Sequence, residues 1–117
     1  MDWKYLFTSF DGRINRKPFW LSIVVLIAIS IVASILDLIL GTFSAESGIG
    51  IIGGIVSLIM IYPSLALYAK RWHDRGKSGW WSLIIFIPLI GAIWILVELG
   101  FLRGNEGPNN YGNDPIA

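Results

Sequence analysis

Apolar positions in this chain come in three long runs, without the alternation that a soluble fold requires. From Pro18 to Leu36 there is no charged residue, and only Asp37 interrupts the run before Leu40. Ser47 to Ala69 is again free of charge, and so is Ser78 to Val97, with the apolar character resuming after Glu98 as far as Leu102. Each run meets the roughly 20 residues that a helix needs to cross about 30 Å of hydrocarbon. A soluble amphipathic helix would keep one polar face, whereas these runs are apolar all round, with only Ser, Gly and Pro as relief. The pattern predicts an all-α membrane helical bundle of about three transmembrane helices, with spans at about 18–40, 47–69 and 78–102.

Ahead of the runs, Trp3, Leu6, Phe7 and Phe10 recur at helical spacing behind Asp2, a residue suited to cap a helix start. This predicts a short interfacial amphipathic helix at about 2–10, held by the membrane surface because so short a helix hardly forms alone. Asp11-Gly12 then turns the chain, and Pro18 stands where the first turn of a helix tolerates it. Arg13, Arg16 and Lys17 precede the first run as they would in a signal peptide. That run, however, exceeds the roughly 7 to 15 apolar residues of a secretory core and lacks a small-x-small exit, so it reads as an uncleaved anchor. Positions 104–117, rich in Gly, Asn and Pro, read as an irregular solvated tail. The whole of 1–117 is expected to be a single integral-membrane domain.

Composition sharpens this reading. Of 117 residues, 55% are apolar and 15% charged, and a soluble domain of this size buries too little surface to hide so much apolar area. Lipid as solvent removes that conflict. With no cysteine there is no disulfide framework and no thiolate for metal, redox or nucleophilic chemistry. The net charge of +1 matters less than its distribution. Lys4, Arg13, Arg16 and Lys17 lie in the N-terminal arm and Lys70, Arg71, Arg75 and Lys77 around the second loop, which accounts for eight of the nine cations. With three spans, the positive-inside rule puts the N-terminus in the cytoplasm and the C-terminus outside. Phe19, Trp20, Trp72, Trp80 and Trp81 fall at the same borders, where amphipathic rings favour the headgroup level.

Four stretches then read together. Gly12-Arg13-Ile14-Asn15-Arg16-Lys17-Pro18-Phe19-Trp20, the loop Arg71-Trp72-His73-Asp74-Arg75-Gly76-Lys77-Ser78-Gly79-Trp80-Trp81, the break Ile87-Pro88-Leu89-Ile90-Gly91, and the tail from Gly107 to Pro115 resemble, in this order, the family named domain of unknown function 805 (DUF 805). The resemblance covers nearly the whole chain, with Pro18 and Asn110 as minor departures. It implies a small bacterial inner-membrane protein and carries no established activity.

Among polar groups, the basic loop is the first candidate. Arg71, His73, Arg75 and Lys77, with Arg13, Arg16 and Lys17 of the arm, could hold an anionic lipid headgroup, helped by the amides at the start of the third run, where Ser78 can cap. Gly76-Lys77-Ser78 resembles the end of a phosphate-binding loop, but the Gly required five residues before Gly76 is Arg71, so no nucleotide is expected. Asp37 and Glu98 are the second candidate, placed by three spans near the outer ends of their helices at similar depth, where they could line an ion path. His73 beside Asp74 could shuttle protons in a headgroup enzyme. Gly50 and Gly54 have small-xxx-small spacing, continued by Ser57, suited to close helix packing within the chain or in a homo-oligomer. The tail oxygens of Asn105, Glu106, Asn109 and Asp114 fit no calcium loop. The leading expectation is therefore a non-enzymatic multi-pass inner-membrane protein whose cytoplasmic basic loops engage membrane lipids, anionic ones above all, or a partner. A transporter or channel subunit and a headgroup enzyme are the alternatives. No metal, cofactor or nucleic acid is expected.

Overall fold

A computed structural model of the chain describes residues 2–115. Helix α1 (Trp3–Thr8) begins as its sequence suggests, with the Asp2 carboxylate accepting a hydrogen bond from the Tyr5 amide at 3.1 Å. Helix α2 runs from Arg16 to Leu40 and stops at Gly41, whose φ of 72° is the left-handed cap that a residue without a Cβ adopts at least cost. A minimal antiparallel pair, β1 (Phe43–Ser44) against β2 (Ile49–Gly50), turns the chain into α3 (Ile51–Asp74). Both α2 and α3 are long and apolar enough to cross a membrane. Their flanks leave Val24, Ile27, Ile31, Leu58 and Ile59 exposed, as suits lipid, where a helix satisfies its own backbone.

The third run departs from its expected form. Gly79–Phe86 is a 3-10 helix, the chain turns through Ile87–Leu89, and α4 (Ile90–Ile95) leads into a π-helical stretch, Leu96–Phe101. Eight residues at about 2.0 Å each reach only about 16 Å, half the hydrocarbon thickness. The two limbs then double back as a hairpin. At its tip the Ile90 amide donates to the Pro88 carbonyl at 2.7 Å, and Leu89 sits at φ 63°, ψ −56°, the rare and strained classic γ-turn. Gly91 permits the return, since a Cβ there would overlap the Ile84 carbonyl. Pro88 has no N–H and bars the preceding residue from helical geometry, so the apolar run reverses where a bent span over about 78–102 was expected. Apolar content over 78–102 reports burial in lipid and is blind to this reversal.

The buried apolar core gathers at one end of the bundle. Leu6 and Ile14 of the arm, Phe19 and Leu26 of α2, Leu67 and Trp72 of α3, and Ile95 and Leu99 of the hairpin form it together. The tail closes over the same end as the N-terminal arm: Arg13 donates to the carbonyls of Asn105, Gly107 and Gly112. Within the tail expected at 104–117, positions 116 and 117 lie outside the described residues, as does position 1 of the expected single domain.

Candidate functional site

Nearly all the ionic side chains converge at this end, and Lys70 and Arg71 are aimed at places where a helix leaves carbonyls without amide partners. Lys70, fully buried on α3, donates from Nζ to the carbonyls of Tyr5, Leu6 and Ser9 at 2.6 to 2.7 Å. Those are the carbonyls at the C-terminal end of α1, so one ammonium uses all three donors to close it. Its charge also lies 4.8 Å from the centre of the Tyr5 ring. Arg71, equally buried, does the same for the hairpin. Its Nε donates to Leu99 O at 2.7 Å and Nη2 to Leu102 O at 2.8 Å, at the end of the π-helical stretch. Its Nη1 reaches Ile14 O and the Asp74 carboxylate.

Asp74 is the centre of this cluster. It pairs with Arg71 at 2.6 Å and Arg13 at 3.0 Å while almost wholly buried. A buried carboxylate between two guanidiniums is held by both; alone it would be costly. Gly104 passes so close that a Cβ there would overlap the carboxylate, and the Asn105 amide donates to Asp74 O at 2.6 Å. The tail is thus fastened to α3 by backbone as well as by Arg13.

Glu98, on the hairpin and outside the two long helices, accepts from Lys77 at 2.5 Å and Arg75 at 3.1 Å, with Trp94 Nε1 at 3.4 Å. Partial burial works against its charged form, but the hydrogen bonds from Lys77, Arg75 and Trp94 outweigh it and hold the carboxyl below its ordinary value. Arg16 donates to Phe101 O at 3.0 Å and Trp20 to Gly100 O at 2.8 Å, tying α2 to the same hairpin end. Lys4 and Lys17 are exposed, with no ion pair or side-chain hydrogen bond among the described residues.

Asp37 lies at the other end of the bundle, against the start of α3. Its carboxylate accepts from the amides of Ile52 at 2.9 Å and Gly53 at 2.7 Å, and from the Thr42 hydroxyl. These are first-turn amides of α3, so a side chain near the C-terminus of one helix serves as the N-terminal cap of the next. Arg16, level with the Glu98 cluster, is 21 positions from Asp37 along α2, or about 31 Å at 1.5 Å per residue. Asp37 and Glu98, expected at similar depth, therefore face opposite ends of the molecule; the reversal at Pro88 sends Glu98 back.

His73 is likewise committed. Its Nδ1 lies 2.9 Å from Gly12 O, its ring stacks on Tyr111 with centroids 4.0 Å apart, and its own carbonyl accepts from Asn109 at 2.8 Å. Asp74 points into the arginine cluster, and no hydrogen bond joins the two neighbours. Of the small residues, Gly50 packs against Asp37 so closely that a Cβ would overlap it, and Gly53 follows at 3.2 Å. Gly54 meets only Ile49, at an ordinary 3.5 Å, and Ser57 donates to Gly53 O within its own helix. The close approach uses positions 50 and 53, because Asp37 needs the adjacent amides.

Sequence reasoning counted Lys70 only as a loop charge. The signal that would have found it is register: Lys70 and Arg71 continue the helix of the second run, where a cation must have a partner or reach the surface.

The model of the protein family described as "Protein of unknown function (DUF805)" matches residues 7–113. The chain belongs to this family. Among curated relatives, the "Inner membrane protein YhaH" of Escherichia coli (strain K12) is 37% identical, the match covering 98% of this chain and 97% of that one. "Inner membrane protein YhaI" of the same strain is 33% identical, over 93% of this chain and 87% of its own. "Uncharacterized protein YiiR" is 28% identical over 91% and 85%. No solved structure matches. The family and the two apolar helices together support an inner-membrane location.

Proposed function

We propose that the protein is a non-enzymatic inner-membrane module of two spanning helices and one re-entrant hairpin, with both termini in the cytoplasm, that engages anionic lipid headgroups through Lys4, Arg16 and Lys17. The observation that carries this reading is the internal saturation of the candidate chemistry. Asp74, Glu98 and Asp37 are each satisfied by donors of the chain itself, and acids so occupied bind neither a passing cation nor a water to be activated. An ion path through Asp37 and Glu98 is disfavoured by their lying about 31 Å apart along the bundle, and a proton shuttle through His73 by its carbonyl bond and ring stack.

Orientation follows from charge. Arg103 joins the other eight cations at the hairpin end, where its carbonyl accepts from Arg75, while the turn between α2 and α3 carries none. An asymmetry of nine to none favours that end as cytoplasmic. There α1, docked by Lys70 with Trp3 exposed, lies at headgroup level as an interfacial helix. Arg75 and Lys77 share Glu98, and Arg103 pairs with Glu106 and Asp114, which leaves Lys4, Arg16 and Lys17 as exposed cations with no carboxylate partner among the described residues.

Two measurements test the reading. Reporters fused after Ala117 and inserted beside Glu46 are expected to report the cytoplasm and the outer side respectively. At about 1 kcal/mol per cation near an anionic surface, replacing Lys4 and Lys17 by Gln should lower copurifying anionic lipid by roughly tenfold or more. An outer C-terminus, or lipid retention unchanged in the double variant, would overturn it.

A further inference from the structure

A cavity of about 420 Å³ lies between the chain just after α1, one face of α3 and the first limb of the hairpin. Nothing in the proposed lipid contacts uses it. Leu65, Ala69 and His73 form its back wall, one helical turn apart, so the cleft follows α3 for about 12 Å. Gly79 closes the floor, approaching Ala69 so tightly that a Cβ would lie 2.9 Å from the Ala69 Cβ. Ser78 and Ser82 are on the hairpin side, with Leu83 and Phe10 completing the apolar part.

Polarity is graded along the cleft. His73 and Ser78 stand at the level of Asp74 and Lys77, whereas Leu65 lies two turns deeper. The Gly12 carbonyl can only accept, so Nδ1 of His73 donates to it, and Nε2 is the ring nitrogen left to face the cleft. That nitrogen has no partner among the described residues. The Ser82 hydroxyl is equally unengaged there, while Ser78 accepts from the Trp80 amide. No Lys, Arg, Asp or Glu lines the cavity. A phosphate or carboxylate head would therefore meet no counter-charge, but a hydroxyl can hydrogen-bond Nε2 of His73. Largely apolar walls with a polar group at one end suit a small molecule that has one polar head.

The geometry points to a cleft for one uncharged, hydroxyl-headed, single-chain amphiphile, a long-chain alcohol or monoglyceride, its head at His73 and its chain along Leu65 and Leu83. This rests on the proposed reading for which end of the cleft is at headgroup level. The test uses the full chain in lipid nanodiscs with hexadecanol carrying a terminal diazirine, and the matching palmitate and headless alkane as comparators. Photolabelling by the alcohol is expected in segments 65–69 and 79–83 ahead of the exposed α2 positions Val24 and Ile27. Ser82→Phe, a change on the hairpin limb, should block it by filling the cleft. His73→Phe keeps a ring to stack on Tyr111 and should reduce labelling by the alcohol about fivefold, the worth of one hydrogen bond, and leave the alkane unchanged. Labelling spread evenly onto α2 would overturn the cleft, and palmitate labelling as well as the alcohol would overturn the head assignment. Reporter fusions on the same proteins separate the two readings. An outer C-terminus removes the shared assignment of depth and this proposal with it, whereas even labelling under the expected topology overturns the cleft alone.

Discussion

The two ends of the bundle solve one problem with opposite signs. At the hairpin end, Lys70 and Arg71 are driven into the fold to meet carbonyls left over at the C-termini of α1 and the last helix. At the far end, Asp37 is buried to meet amides left over at the N-terminus of α3. Cations go to the negative ends of helix dipoles and the anion to a positive one. The ends differ in how much depends on each charge. Asp37 joins two neighbouring helices across a short turn, whereas Asp74 and the two arginines join the N-terminal arm, α3, the hairpin and the tail. Buried charge in this membrane protein thus serves mainly as a cap, and its structural reach depends on how far apart in sequence the capped segments lie.

The largest effect that would break this contrast is at Asp74. Replacing it by Asn leaves Arg13 and Arg71 buried against a neutral amide, and removal of one partner from a buried ion pair costs about 3 to 5 kcal/mol. Unfolding of the purified variant in detergent should show a loss of that order, with the tail becoming open to protease. A loss below about 1 kcal/mol, the ceiling for an exposed pair, would mean that the cluster is wet and the contrast false.

Asp37→Ala should produce a smaller loss, that of a helix cap. The turn between the long helices should exchange amide hydrogens faster while the tail stays protected. Proteoliposomes containing the variant should pass protons and cations no differently from the parent. A flux present in the parent and absent in the variant would convert the cap into an ion ligand.

The smallest effect is the pH dependence of Glu98. Its carboxyl is held below the ordinary value, so the stability it contributes is complete above that value, about 4.5, and is lost as pH falls through the depressed folded value. Lys77 and Arg75 are about a third and a quarter exposed, which weakens the pairs through solvent screening. Glu98→Gln should melt modestly below the parent at neutral pH, and the two curves should converge under acid. Curves that stay parallel down to acid pH would mean that the Glu98 pairs contribute no stability.

Much of the candidate site was open to sequence reasoning as a set and closed to it as an arrangement. Arg13, Arg71, His73, Asp74, Arg75, Lys77, Asp37 and Glu98 stand out by residue type alone, because a charge at the border of an apolar run must have a partner or reach water. Which partner each one takes could not be read. Arg71 meets carbonyls at 99 and 102 and Arg13 meets carbonyls at 105, 107 and 112. Backbone acceptors have no signature, since every residue carries the same carbonyl.

By itself, then, the sequence determined that the chain is mostly helical, that two of its runs are long and apolar enough to cross a membrane, although α3 runs on through Asp74, past the expected end at 69, and that its cations are segregated. Each of these is local, set by runs of apolar side chains long enough to cross hydrocarbon and by Gly41, Pro18 and Asp2 at their ends. Tertiary structure alone decided that the third run turns back at Pro88, that the tail returns to Arg13, and that Asp37 and Glu98 face opposite ends. An apolar side chain is equally content in lipid whether its helix crosses or reverses. The choice was left to the charged groups, whose desolvation is relieved only when distant segments bring unpaired helix ends within hydrogen-bonding reach.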